Sequence, residues 1–138
     1  MVSMHITYDG GKKSTAVHDD SGAIIHTDAP KDIGGEGSSF SPTDLMAAAL
    51  ATCIGTTLAM YGERHEVDLS GLKIHVTKEM STATPRRISA LKSTITIPTG
   101  RIPMDARPRY EQIAHGCPVY KSLHPDIDAP MSFIYESE

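Results

Sequence analysis

Two thiols carry the most reactive chemistry in this 138-residue chain: Cys53 and Cys117, 64 positions apart. A cysteine acts as nucleophile or metal ligand only as the thiolate, so its surroundings decide its role. No CxxC pair is present, which removes the usual zinc spacing. Taken singly, Cys53 reads as a small buried hydrophobe and Cys117 as a helix-start residue with an ordinary thiol. Composition and periodicity do not pair them. If both are chemical groups, the reactions open to them are thiol oxidation, disulfide formation and exchange.

Helices must position both. Ser41-Pro42-Thr43-Asp44 is a strong helix start, with Ser41 as N-cap, Pro42 at the first helical position and Asp44 completing a capping-box-like pattern. Leu45 through Met60 then carries no charge. Its sixteen residues fall short of the roughly 20 that a membrane span needs. A helix without a polar face is expected to be buried on all sides. We expect a partner chain to supply part of that cover; one curved sheet clasping the helix is the alternative. The helix is predicted to end near Tyr61-Gly62. Cys53 lies more than three turns inside it, where the helix dipole gives little help. As a nucleophile it would need a cation or strong hydrogen-bond donors from another segment. Pro118 suits the first position of a short helix over 119–123, which makes Cys117 its N-cap. Exposed amides at that start are expected to lower the Cys117 pKa.

The remaining elements form the scaffold. His5–Tyr8, Lys12–His18 and Ala23–Thr27 read as three strands of a meander, joined by turns at Asp9-Gly10-Gly11 and Asp19–Gly22. Residues 28–40 read as loop; their glycines lack the Lys and Ser/Thr spacing of a phosphate cradle. Leu72–Met80 and Ile88–Ile97 read as strands, Met104–His115 as a mainly polar helix despite Pro108, and Met131–Glu136 as a last strand. The predicted order is βββ-α-ββ-α-α-β, an α/β (α+β) chain forming a single domain over 1–138. With 22% charged and 39% hydrophobic residues it is globular rather than disordered. A net charge of −4 argues against nucleic acid or an anionic membrane as the main partner. Two cysteines make no disulfide scaffold, and Met1–His5 has neither a basic nor an apolar leader region, so a reducing cytoplasm is the expected compartment.

Ser41–Cys53 (SPTDLMAAALATC) closely resembles the first cysteine helix of the OsmC/Ohr family, and Gly116–Pro125 (GCPVYKSLHP) resembles its second cysteine segment. The cysteine spacing and element order are similar too, so the resemblance covers nearly the whole chain. It implies an OsmC-like two-layer fold assembled as an intertwined homodimer, with central Cys helices packed against sheets. It implies a thiol peroxidase acting on organic hydroperoxides in oxidative or osmotic stress defence. Cys53 would be the peroxidatic cysteine and Cys117 the resolving one, closing a Cys53–Cys117 disulfide. An external dithiol, lipoyl-type in some relatives, would reduce it, with no metal or bound cofactor.

Two family positions depart from the pattern. The Glu ten residues before the first cysteine is here Thr43, with Asp44 beside it. The Arg after a glycine pair is here Lys12-Lys13, following Gly10-Gly11. Lys does not offer the planar fork of Arg, so Asp44 with Lys12 or Lys13 is the expected substitute for thiolate activation. His26, Arg86-Arg87 and His115 are weaker candidates, and His124-Pro125-Asp126 reads as a turn. These departures keep a second reading open: a catalytically weak relative that binds or senses a small apolar or thiol-containing ligand in the dimer-interface pocket.

Overall fold

The computed structural model describes residues 1–137. Contacts within the chain group into two units, Met1–Met46 and Ala47–Glu138, described in turn.

The first unit is the expected meander. β1 (Met4–Gly10), β2 (Lys13–His18) and β3 (Ile24–Asp28) pair antiparallel in chain order. Register places Lys13 directly opposite Asp28. Lys31–Ile33 forms a 3₁₀ turn within the predicted loop. That loop folds back on itself because Gly35 has no side chain: a Cβ there would lie 1.8 Å from the Ala29 carbonyl oxygen.

α1 (Pro42–Arg64) opens on a reciprocal capping box. The Ser41 hydroxyl accepts from the Asp44 amide at 3.1 Å, and the Asp44 carboxylate accepts from the Ser41 amide at 2.9 Å. The helix runs past the predicted stop at Tyr61-Gly62, through Arg64. It ends in a Schellman arrangement: Val67 N–H donates to the Gly62 carbonyl at 2.8 Å and Glu66 N–H to the Glu63 carbonyl at 3.3 Å. Glu66 supplies the left-handed residue, with φ of 58°. The sequence signal misled because Gly62 is not the left-handed stop residue. It is kept small because a Cβ there would lie 2.8 Å from the returning Val67 carbonyl.

The second unit carries β4 (Lys73–Met80), β5 (Ile88–Ile97) and β6 (Met131–Tyr135), in the order β4-β5-β6. β4 pairs antiparallel and β6 parallel with the central β5. β5, the central strand, is buried along most of its length although Ser, Lys and Thr interrupt its apolar residues, whereas β4 alternates. Leu50, Ile54 and Leu58 of α1, all fully buried, form one core with Leu91, Ile95 and Ile97 of β5. α2 (Arg107–Ala114) follows a 3₁₀ turn over Met104–Ala106, and Pro108 sits in its first turn, where a missing amide costs nothing. α3 (Pro118–Ser122) completes the element order. The order βββ-α-ββ-α-α-β and the mixed α/β class are as expected.

α1 is not enclosed by its own chain. Its 23 residues are long and apolar enough to pass as a membrane span by length and composition, longer than the sixteen-residue reading allowed. Its buried stripe is instead committed to a protein core, while Met46, Ala49, Thr52, Thr56 and Met60 remain exposed. The threonine hydroxyls donate back to the Ala48 and Thr52 carbonyls at 2.8 and 2.9 Å. That leaves the exposed stripe effectively apolar.

Gly→Ala inside a helix ordinarily stabilises by about 0.5–1 kcal/mol. The Val67 carbonyl reverses the sign at Gly62. Gly62→Ala is expected to lower stability by about 1–3 kcal/mol, read from urea midpoints at unchanged m-value. A Gly62→Ala protein as stable as wild type would mean that the helix end relaxes freely.

Candidate active site

The fold brings Cys53 and Cys117 together. Cys53 projects from α1 beside the buried stripe and is half-buried; Cys117 is fully buried at the start of α3. Both are free thiols, close enough for Cys53 to influence the ionisation of Cys117. Their shared feature is the first turn of α3. Pro118 occupies the first helical position, so the next two amides are the first available donors. Tyr120 N–H donates to Cys117 Sγ at 3.3 Å, which makes Cys117 the N-cap as expected. Val119 N–H reaches across to Cys53 Sγ at 3.5 Å. Cys53 thus receives a donor from another segment, a backbone amide rather than a cation.

The expected lowering of the Cys117 pKa is overturned. Burial in the core is the largest influence and pushes the thiol up, and the neighbouring Cys53 adds to the rise; the Tyr120 and Val119 amides pull the other way but do not prevail. Desolvation of a thiolate outweighs two amide donors at a residue with no exposed surface. Cys117 is therefore held as the protonated thiol at neutral pH.

The expected activating residues have other work within the first unit. Lys13 Nζ lies 3.1 Å from buried Asp28 and 3.3 Å from Glu36. Asp28 also accepts from the Ser38 hydroxyl at 2.7 Å and the Ser38 amide at 3.1 Å. Lys13 is thus a structural cation, its partner dictated by the β2–β3 register. Asp44 caps α1, and Thr43 Oγ1 lies 3.3 Å from the Ser41 hydroxyl. Lys12 is exposed in the hairpin turn at φ 64°, its amide donating to Tyr8 Oη at 3.2 Å. Its ammonium lies 3.4 Å from the position a Gly34 Cβ would take.

The weaker candidates are likewise engaged. His26 Nδ1 lies 3.2 Å from the Thr15 hydroxyl. His115 Nδ1 contacts the Glu111 carbonyl at 2.8 Å, the helix-end role the sequence favoured. Arg87 donates to the Ile88 carbonyl at 2.9 Å. The Asp126 amide donates to His124 Nδ1 at 3.0 Å within the expected turn.

One feature escaped sequence reasoning. A cavity of about 290 Å³ is lined by Thr57, Met60, Tyr61 and Arg64 of α1, Ile113 of α2, and Gly116 and Pro118, the chain neighbours of Cys117. The i, i+3, i+4, i+7 spacing of the α1 members was its available signal. Tyr61 is fixed edge-on to Tyr110 at 4.9 Å between ring centroids. Among the described residues no cluster of His, Cys, Asp and Glu could hold a metal ion.

Comparison with known proteins identifies the family of the fold. The OsmC family model, described as OsmC-like protein, matches residues 35–130. The crystal structure of a protein from Psychrobacter arcticus 273-4, provisionally described as an osmotic stress induced and detoxification response protein, is similar at 38% identity and a TM-score of 0.88, over 99% of this chain and 96% of that one. An organic hydroperoxide resistance protein OsmC from Legionella pneumophila shares the fold at 16% identity and a TM-score of 0.77, over 97% of this chain and 96% of that one. An organic hydroperoxide resistance protein from Elizabethkingia anophelis does so at 16% identity and a TM-score of 0.78, over 99% and 96% of the two chains. No match is found among curated proteins.

The Asp28 cluster sets a pH dependence. The Ser38 hydroxyl and amide, then Lys13, hold the Asp28 carboxyl well below the usual carboxylate range. A carboxyl with a depressed folded pKa adds stability above its unfolded value of about 4, and that stability is lost as pH falls through the lower folded value. Asp28→Asn is expected to lower the melting temperature at pH 7 and to shrink the wild-type decline below about pH 4. Thermal melts across that range check this; equal acid declines in both proteins would remove Asp28 from the account.

Proposed function

This chain belongs to the OsmC family of OsmC-like proteins, and from that premise we propose that it is a cysteine-based thiol peroxidase for organic hydroperoxides. The observation that carries this reading is the contact between half-buried Cys53 and buried Cys117 over the first turn of α3. Cys53 is the nucleophile: it is the more accessible thiol, and the Val119 amide donates to its sulfur. Its thiolate attacks the terminal peroxide oxygen, the O–O bond breaks, and the departing alkoxide takes a proton to leave as an alcohol. Cys53 is then a sulfenic acid. Cys117, kept protonated until then, loses its proton and attacks the Cys53 sulfur. The S–S bond forms, and the hydroxyl leaves as water. An external dithiol restores both thiols by exchange, becoming a disulfide itself.

The exposed apolar stripe of α1 supports assembly as a homodimer, since a second copy would cover Met46, Ala49, Thr52, Thr56 and Met60. The organic hydroperoxide resistance named for two of the structural neighbours supports the substrate class. One observation favours the alternative of a weakly catalytic binder: Lys13 and Asp44 are both committed to structural contacts.

Reduced protein exposed to stoichiometric cumene hydroperoxide is expected to lose two hydrogen atoms by intact mass, with the link mapped to Cys53–Cys117 in one chain. Cys53→Ser should abolish turnover, and Cys117→Ser should leave a trappable sulfenic acid on Cys53. Because burial raises the Cys117 pKa, closure of the disulfide should accelerate as pH rises past the ordinary thiol range, in rapid-mixing experiments that start from the sulfenic acid. Unchanged mass in a folded protein would favour the binder. Sedimentation as a stable monomer at micromolar concentration would remove the dimer.

A further inference from the structure

His115 and Tyr120 bracket the corner that carries Cys117. His115 follows α2 as its C-cap, Tyr120 lies in α3, and Gly116-Cys117-Pro118-Val119 is the chain between them. The two rings stand at right angles with centroids 5.6 Å apart, an attractive edge-to-face arrangement. His115 Nδ1 lies 2.8 Å from the Glu111 carbonyl oxygen, which can only accept. Nδ1 therefore carries a proton, and this bond fixes the setting of the imidazole.

α2 gives that ring a firm mounting. Its Tyr110 and Ala114 are buried in the core. The Tyr135 hydroxyl of β6 donates to the Glu111 carboxylate at 2.8 Å, and the Arg107 guanidinium lies 4.1 Å from the Tyr135 ring centroid. Glu111 is thus held to the sheet by its side chain and holds His115 by its carbonyl. α3 is less well anchored. Five residues are too few for a helix to be stable alone, and Val119 and Tyr120 are only partly buried against the core. Yet both sulfurs depend on its first turn: Tyr120 N–H reaches Cys117 Sγ at 3.3 Å, and Val119 N–H reaches Cys53 Sγ at 3.5 Å. Because the two donors belong to one turn, a tilt of α3 away from α2 would withdraw both together.

We propose that His115 is a positioning residue for the thiol pair: its ring holds Tyr120, and through Tyr120 the first turn of α3, with one amide on each sulfur. It acts as a ring and not as an acid or base. Resting on the peroxidase reading, the step it serves is resolution, in which Cys117 loses its proton and attacks the Cys53 sulfur. The Tyr120 amide opposes the rise that burial imposes on the Cys117 thiol, and Cys53 is the titratable group that adds to that rise. Withdrawing the amide should therefore slow closure of the disulfide and move its onset to higher pH.

Amide exchange and disulfide closure test this in wild type, His115→Ala, His115→Phe and Tyr120→Leu. Closure is driven by diamide, which needs no peroxide: one thiol adds across its N=N bond, and the second thiol displaces the hydrazide as the S–S bond forms. In His115→Ala the Val119 and Tyr120 amides should exchange about three- to tenfold faster, the factor that an edge-on ring pair carries, while the β5 amides keep their wild-type rates. Closure at neutral pH should slow by a similar factor, with its pH profile displaced upward. His115→Phe keeps a ring against Tyr120 without the imidazole proton and should restore most of both readouts. Tyr120→Leu should reproduce His115→Ala, and combining the two should add little. Unchanged exchange at Val119 and Tyr120 in His115→Ala would overturn the proposal, as would unchanged closure. Faster exchange spread equally through β5 would reduce His115 to general stability, and failure of His115→Phe to restore closure would give the imidazole a chemical role; either overturns the positioning role. Diamide closure that depends on the ring at 115, in a protein that consumes no peroxide, supports the positioning role and removes the peroxidase instead.

Discussion

The rotational setting of α1 governs the second unit. Leu50, Ile54 and Leu58 recur every fourth residue and are fully buried against β5. Each contributes about 1.5–3 kcal/mol by leaving water. Turning the helix by one residue would swing this stripe about 100° out of the core. Cys53 immediately precedes Ile54, so its direction is fixed by that packing: beside the core, half-buried, and facing the start of α3. The same setting aims Thr57, Tyr61 and Arg64 along the neighbouring face, where they line the cavity. Nucleophile and cavity are therefore consequences of one packing decision.

Against this fixed helix, α3 distinguishes two chemically identical side chains. It is only five residues long, and its contribution is local: two first-turn amides that have no partner within the helix. One donates to each sulfur. Burial then separates the pair, since Cys117 has no exposed surface and its charged form is disfavoured. The neighbouring Cys53 adds to the rise at Cys117. Burial, more than hydrogen bonding, keeps Cys117 protonated.

Most of the scaffold was legible because it obeys short-range rules. The Ser41–Asp44 capping box, the Pro118 helix start with Cys117 as cap, and the alternation of β4 each follow from a few neighbouring residues. The errors arose where a distant contact overrode a local signal. Gly62 reads as a helix stop, yet its smallness serves the Val67 carbonyl arriving from beyond the helix end. Cys117 reads as an activated thiol because the amides are local and visible, whereas the burial that outweighs them depends on segments distant in sequence. The cavity was missed for the same reason: three elements line it, and only the α1 spacing lies within one stretch of chain.

The departures from the family pattern show how far a residue can be carried by position. Lys13 follows the glycine pair, as a family cation would, but the β2–β3 register sets it opposite Asp28. Asp28 is buried and depressed in pKa, so removing its counter-charge would strand an ion away from water. That holds Lys13 to a structural task whatever its position suggests. Asp44 is held in the same way by the orphan amide of Ser41 at the start of α1. Lys12 differs, being exposed in the turn with its ammonium over Gly34. Losing the Lys12 charge would therefore strand no buried ion, unlike losing that of Lys13.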